Sequence, residues 1–162
     1  IHDARGGSSL QRFDRDVIAQ TGVTHLIFQL GINDIRNRGS DPELVVSADD
    51  LIAGMKQMAV RAHAKGIKIY AGTLLPYENE DYNPPPGLKG LYTEEGNQRR
   101  LAINAWLRQT DAFDAVIDFD KELQNPDHPN EMLPLYDCGD HLHPGDAGYI
   151  RMGDVVDLSL FD

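Results

Sequence analysis

Residues 23–34 read Val-Thr-His-Leu-Ile-Phe-Gln-Leu-Gly-Ile-Asn-Asp. The first eight form a short, nearly continuous apolar run rich in branched and aromatic side chains. That is the pattern of a parallel strand buried on both faces, since a half-exposed strand would alternate. Gly31 lets the backbone turn tightly at the end of the run. Asn33 and Asp34 stand just beyond it. A side-chain amide fixed at a strand end can donate to a developing oxyanion; equally, Asn and Asp in such a place cap or turn the chain.

On the N-terminal side, residues 1–9 are polar and Gly/Ser-rich and read as an entry loop. Ser9 is placed to cap a helix over 10–20 with Leu10, Phe13, Val17 and Ile18 as its apolar face, and Thr21-Gly22 ends it. On the C-terminal side, 36–46 read as loop. Ser47 caps a helix through Lys65, with Leu51, Ile52, Met55, Met58, Ala59 and Ala62 at helical spacing. Residues 67–74 (IKIYAGTL) are the next strand. Residues 76–91 form a Pro/Gly/Tyr/Glu-rich loop longer than a plain connection needs, and so a candidate for function. A helix over 93–110 offers Leu101, Ile103, Ala105, Trp106 and Leu107 for packing. Residues 115–119 (AVIDF) are a third strand, 121–136 a Pro-rich excursion, and 146–161 a final helix. Strands alternating with helices imply right-handed crossovers and a parallel sheet covered on both faces, a three-layer α/β/α domain. With no repeat, low-complexity stretch or linker, 1–162 reads as a single domain. In such sheets the chemistry gathers at the C-terminal strand ends. Asn33 follows the first strand, Thr73 and Pro76 close the second, and the loop after the third carries a further motif.

That motif is Asp137-Cys138-Gly139-Asp140-His141-Leu142-His143-Pro144. Gly139 and Pro144 argue for a short rigid loop. Such a loop can fold the Asp140 carboxylate onto one ring nitrogen of His143, leaving the other to take a proton, which is how a general base for a hydroxyl is built. The same spacing also suits a loop histidine beside a solvated aspartate. Asp140, His141 and His143 are metal-ligand types too, but His2, His25, His63 and His128 are scattered and no ligand set closes. Cys138 reads as a small packing residue, with nothing nearby to lower its pKa. Tyr77, Tyr82 and Tyr92 flank the long loop and suit either stacking on a sugar or aryl group or packing of the loop itself. Trp106 reads as core.

The 162 residues suit one domain with a real core. A formal net charge of -11 argues against nucleic acid or an anionic membrane surface as partner. No apolar run reaches membrane-spanning length, and no signal peptide is visible. The single cysteine excludes an intrachain disulfide and leaves the redox compartment open.

Taken together, Gly31-Ile32-Asn33-Asp34 and Asp140-His141-Leu142-His143-Pro144 resemble two of the four sequence blocks of the SGNH (GDSL) hydrolase family. The similarity extends to RFDRDVIAQTGVTHLIFQLGINDI, RAHAKGIKIYAGTLLPYE, INAWLRQTDAFDAVIDFD and CGDHLHPGDAGY, which resemble a branch of bacterial acylhydrolases and arylesterases. The resemblance implies a flavodoxin-like sheet and hydrolysis of a carboxylic ester, including an acylated carbohydrate. It gives Asn33 a place in the oxyanion hole and His143 and Asp140 two places in a Ser-His-Asp triad. It implies no cofactor and no metal, and favours a secreted or periplasmic location.

The family's first block, a strand leading into Gly-Asp-Ser-Leu with the nucleophilic serine, has no counterpart here, nor has the second, whose glycine N–H joins the oxyanion hole. Gly7-Ser8-Ser9-Leu10 imitates the first on paper, but no apolar strand precedes it, and it lies one helix before Gly-x-Asn-Asp where the family has a further strand and helix. Ser40, Ser47 and Ser159 fit no nucleophile turn. The expectation is therefore the family fold lacking its first strands, with one edge of the 23–30 strand unpaired. A separate N-terminal segment, or a second copy in a homo-oligomer, would cover that edge. The alternative is a non-catalytic truncated fold that serves assembly or carbohydrate binding.

Overall fold

The computed structural model describes residues 8–36, 46–81 and 91–162. Tyr82, Ser40, His2, and most of the loops expected over 1–9, 36–46 and 76–91 lie outside these.

The chain opens with α1 (Ser9–Phe13), capped by Ser8 rather than Ser9. The Ser8 hydroxyl accepts from the Gln11 N–H, and the Gln11 side chain answers to the Ser8 N–H, a reciprocal box. The expected helix over 10–20 continues only as a wider turn, Asp14–Ile18, in which the Ala19 N–H donates to the Asp14 carbonyl at 2.8 Å. Strand β1 (His25–Phe28) and the one-turn helix α2 (Ile32–Ile35) follow. Ser47 caps α3 (Ala48–His63) by accepting from the Asp50 N–H, as its sequence predicts. The remaining elements are β2 (Lys68–Gly72), α4 (Glu94–Leu107, capped by Thr93), β3 (Ala115–Ile117), α5 (Phe119–Leu123) and α6 (Asp146–Asp154), with a closing 3-10 turn Leu158–Phe161.

The three strands pair in parallel in the order β1-β2-β3, with His25 opposite Lys68 and Tyr70 opposite Ala115. Alternation along β2 sorts the layers. Ile69 and Ala71 join Leu51, Met55, Met58, Ile103 and Leu107 on the face covered by α1, α3 and α4. Tyr70 joins Ile117 and Phe119 on the other face, beneath Met152, Val155, Val156 and Leu160. Gly72 has no side chain because a Cβ would lie 2.7 Å from the Phe119 ring. This is the expected parallel sheet with helices on both faces. No helix among the described residues is long and apolar enough to cross a membrane.

Three expectations need correction. The first strand is shorter than 23–30 and is not buried on both faces. Among the described residues it lies at the sheet edge; Phe28 is buried, but Ile27 is 42% and Leu30 43% exposed. The final helix breaks after Asp154, because the Asp157 carboxylate accepts from the Ser159 N–H and starts a new turn. Helix α4 does not pack on Leu101 and Ala105, which are exposed; its inner face is Gly96, Asn97, Arg100, Ile103, Asn104 and Leu107. The polar residues of that face are engaged, although the Asn97 amide nitrogen has no partner among the described residues. Arg100 pairs with Asp120 and donates to Asn97 and Asn130, and Arg108 holds Asp118 and Asp120. The Asn104 amide meets both the N–H and the carbonyl of Leu74 at 2.8 Å. The network fixes the end of β2 and the start of α5, where the strand rim begins.

Candidate active site

The loop that carries Asp140 and His143 is tied at its base by an antiparallel bridge between Asp137 and Pro144, and by the Cys138 N–H to the His143 carbonyl. Gly139 at φ 104° and His141 at φ 57° make the turns. His141 takes the left-handed region, unusual for a residue with a Cβ, because the Asp137 carboxylate holds its N–H and ring Nδ1 together. Helix α6 starts hard against this loop. A Cβ on Gly148 would lie 2.5 Å from the Tyr136 carbonyl oxygen and 2.8 Å from Pro144.

Inside the loop, Asp140 Oδ1 accepts the N–H groups of Leu142 (2.9 Å) and His143 (2.8 Å), while Oδ2 lies 2.7 Å from His143 Nδ1. Partial burial alone would raise the Asp140 carboxyl. The His143 ring and the His143 and Leu142 N–H groups outweigh it and hold the carboxyl at about 2. Asp140 is thus a fixed anion on one ring nitrogen, and the imidazole, 44% exposed, presents its other edge away from that carboxylate.

His143 lines a cleft of about 150 Å3 together with Gln29, Leu30, Asn33, Leu75 and Tyr149. Asn33 reaches it from α2, which begins at Gly31 with φ 131°, a conformation in which any side chain would be strained. The Asn33 Oδ1 accepts from Arg36 Nη1 at 2.9 Å, which fixes the orientation of the amide and with it of its donor, Nδ2. His143 and Asn33, expected from sequence to meet at one rim, line one cleft at the C-terminal ends of β1 and β2, and Asp140 is joined to it through the His143 ring. Among the described residues lining that cleft there is no serine. Ser8 and Ser47 are engaged as helix caps. Ser9 lies on another groove, beside the β1 edge.

The structure adds a pairing that the sequence did not single out. Asp137 and His141 make a second carboxylate–imidazole pair at 2.6 Å, interleaved with the first. It faces a different hollow, shared with Glu78, Asn79 and Glu131. Asp137, Cys138 and Asp140 each bring one ligand-type atom within 4.8 Å of the others. Both carboxylates are already engaged by a histidine and by backbone N–H groups. Cys138 is exposed rather than packed. A backbone hydrogen bond at Asp140 favours its thiolate, but desolvation and the neighbouring carboxylates outweigh that and push the thiol up, away from nucleophilic use. Tyr77 is buried edge-to-face against Tyr92 with ring centroids 5.2 Å apart, so it packs the loop. The tyrosine at the cleft is Tyr149, on α6. Its signal was its position five residues after Pro144, on the first turn and a half of α6.

The family model for GDSL-like lipases and acylhydrolases matches residues 2–151. The chain belongs to this family. Among solved structures, a GDSL-like lipase from Bacteroides thetaiotaomicron VPI-5482 shares 21% identity at a TM-score of 0.69, covering 94% of this chain and 68% of that one. A protein assigned as an acylhydrolase from Bacteroides fragilis NCTC 9343 shares 24% identity at 0.72, covering 94% and 67%. The acetylxylan esterase Axe2 from Geobacillus stearothermophilus shares 18% identity at 0.61, covering 91% and 63%. These likenesses establish the fold; the chain spans about two thirds of the length of each structure. No curated protein matches the chain. Within the GDSL-like family, the α/β architecture around the cleft is what this chain has in common with its structural neighbours.

Proposed function

We propose that this GDSL-like chain carries the base and oxyanion side of a carboxylic ester hydrolase. The observation that supports it is the His143 ring, fixed by Asp140, in the same cleft as the Asn33 amide. In the reaction a serine Oγ attacks the ester carbonyl carbon while its proton passes to His143 Nε2. The carbonyl oxygen becomes an oxyanion facing Asn33 Nδ2, and Asp140 stabilises the imidazolium. Collapse breaks the C–O bond to the alcohol, which leaves with the Nε2 proton. Water, deprotonated at the same nitrogen, then releases the acid from the serine.

By the family resemblance we propose that the serine is supplied by a segment outside these 162 residues; among the described residues no serine lines the cleft. The open edge of β1, with exposed Ile27 and Leu30, is where that segment pairs as a strand. A small cleft favours a short acyl group. An acylated carbohydrate is the substrate class we favour, in keeping with the acetylxylan esterase named among the structural neighbours. The test is hydrolysis of acetyl and longer-chain aryl esters by the protein as its gene produces it, beside His143→Ala. Loss of turnover with the fold intact is expected; undiminished turnover in His143→Ala would contradict the reading.

A further inference from the structure

The Asn33 amide is the end of a chain of contacts that runs across the site into the long loop. Arg36 is the last residue held by α2 and is almost fully buried. Among the described residues its guanidinium reaches two partners. Nη1 donates to Asn33 Oδ1 at 2.9 Å, and Nη2 pairs with Glu80 Oε1. Glu80, 2% exposed, is 44 residues away in sequence, and its Oε2 accepts the Leu91 N–H at 2.6 Å. The neighbouring residue ties the same segment to the other half of the site: the Asp81 N–H donates to the Asp140 carbonyl at 3.0 Å. Two consecutive residues, Glu80 and Asp81, therefore hold the helix of the oxyanion donor and the loop of the base together.

A buried guanidinium needs a carboxylate partner. Here the fork geometry adds something that charge alone does not. One planar group fixes a carboxylate and an amide oxygen in a set geometry, whereas the three rotatable donors of a lysine ammonium on its flexible stem impose none. By engaging Oδ1 it excludes the flipped amide, whose oxygen would face the oxyanion. We propose that Arg36, held by Glu80, is a positioning residue that orients the Asn33 amide nitrogen toward the reacting carbonyl. This rests on the ester-hydrolase reading.

The test is a double-mutant cycle with Arg36→Lys and Asn33→Ala, read as kcat and KM on an aryl acetate. Arg36→Lys is expected to lower kcat by about ten-fold or more, within the roughly 10²–10³-fold set by loss of one oxyanion donor, and to leave KM nearly unchanged. In the Asn33→Ala background the same substitution is expected to cost nothing further. Equal losses in both backgrounds, or an unchanged kcat in Arg36→Lys, overturn the positioning role. A second readout needs no turnover. The Asn33 side-chain amide resonances, identified by their loss in Asn33→Ala, are expected to shift and to exchange faster with water in Arg36→Lys and in Glu80→Gln. Unmoved resonances overturn the proposal directly. Shifted resonances beside a fully active Asn33→Ala sink the oxyanion reading itself, and with it any role of Arg36 in catalysis.

Discussion

At the residue scale, Asp140 is the most constrained group of the site. Three of its contacts come from a histidine and the backbone of its own turn. Its carboxyl is held at about 2, below the ordinary 3.8. A depressed carboxyl contributes stability that is fully present above the unfolded value and is lost as pH falls through the folded one. The difference in stability between the native protein and Asp140→Asn should therefore be constant above about pH 5 and shrink between about pH 4 and 2. Urea titrations across that range measure it, and a difference independent of pH would contradict the assignment. Catalysis makes its own demand: Asn33→Ala should lower kcat by about 10²–10³. Asp140, His143 and Asn33 were legible because each stands within a few residues of a Gly or Pro that forces a loop. Arg36 and Glu80 were not, because a contact across 44 residues leaves no local pattern. Asp137 and His141 went unread as a pair because two carboxylates and two histidines within seven residues admit more than one pairing.

At the element scale, three glycines sort into two that a side chain would break and one it would help. On α4, a Cβ at Gly96 would lie 2.5 Å from the Tyr77 hydroxyl and 3.0 Å from the Ile35 carbonyl oxygen. On α6, Gly148 abuts the Tyr136 carbonyl. Gly96→Ala and Gly148→Ala should each destabilise by about 1–3 kcal/mol, since overpacking exceeds the gain in helix propensity. Gly153, also on α6, has nothing within 4 Å, and Gly153→Ala should stabilise by about 0.5–1 kcal/mol. Thermal or urea midpoints of the three variants decide this, and equal signs would contradict it. Helix starts were readable where a serine or threonine stood before an acidic first turn, as at Ser47 and Thr93. The inner face of α4 was only partly readable: Ile103 and Leu107 are buried as expected. Its buried side includes Asn97, which accepts from Arg100 on the same helix, and Arg100 and Asn104, whose further partners are Leu74 just beyond β2, Asp120 of α5 and Asn130 of the 124–132 loop. Apolar spacing pointed instead at Leu101 and Ala105.

At the scale of the molecule, the three-layer order was legible from the alternation of short apolar runs with helical patterns. The exposure of β1 was only half legible. Its composition is that of a buried strand, and the described residues leave it at the edge with Ile27 and Leu30 in the open. An apolar edge of this kind pairs or associates. The 162-residue chain on its own should therefore self-associate, and Ile27→Lys should reduce the association, as light scattering against concentration would record. A monodisperse monomer at all concentrations would contradict it.

The proposed hydrolysis needs a serine supplied from outside the chain and activated by His143 within it. A fluorophosphonate probe, applied to the protein as its gene produces it and located by peptide mass, tests that directly. The label should fall on a serine that is not Ser8, Ser9, Ser40, Ser47 or Ser159, and should disappear in His143→Ala. A label on any of those five, or labelling that persists without His143, would contradict it.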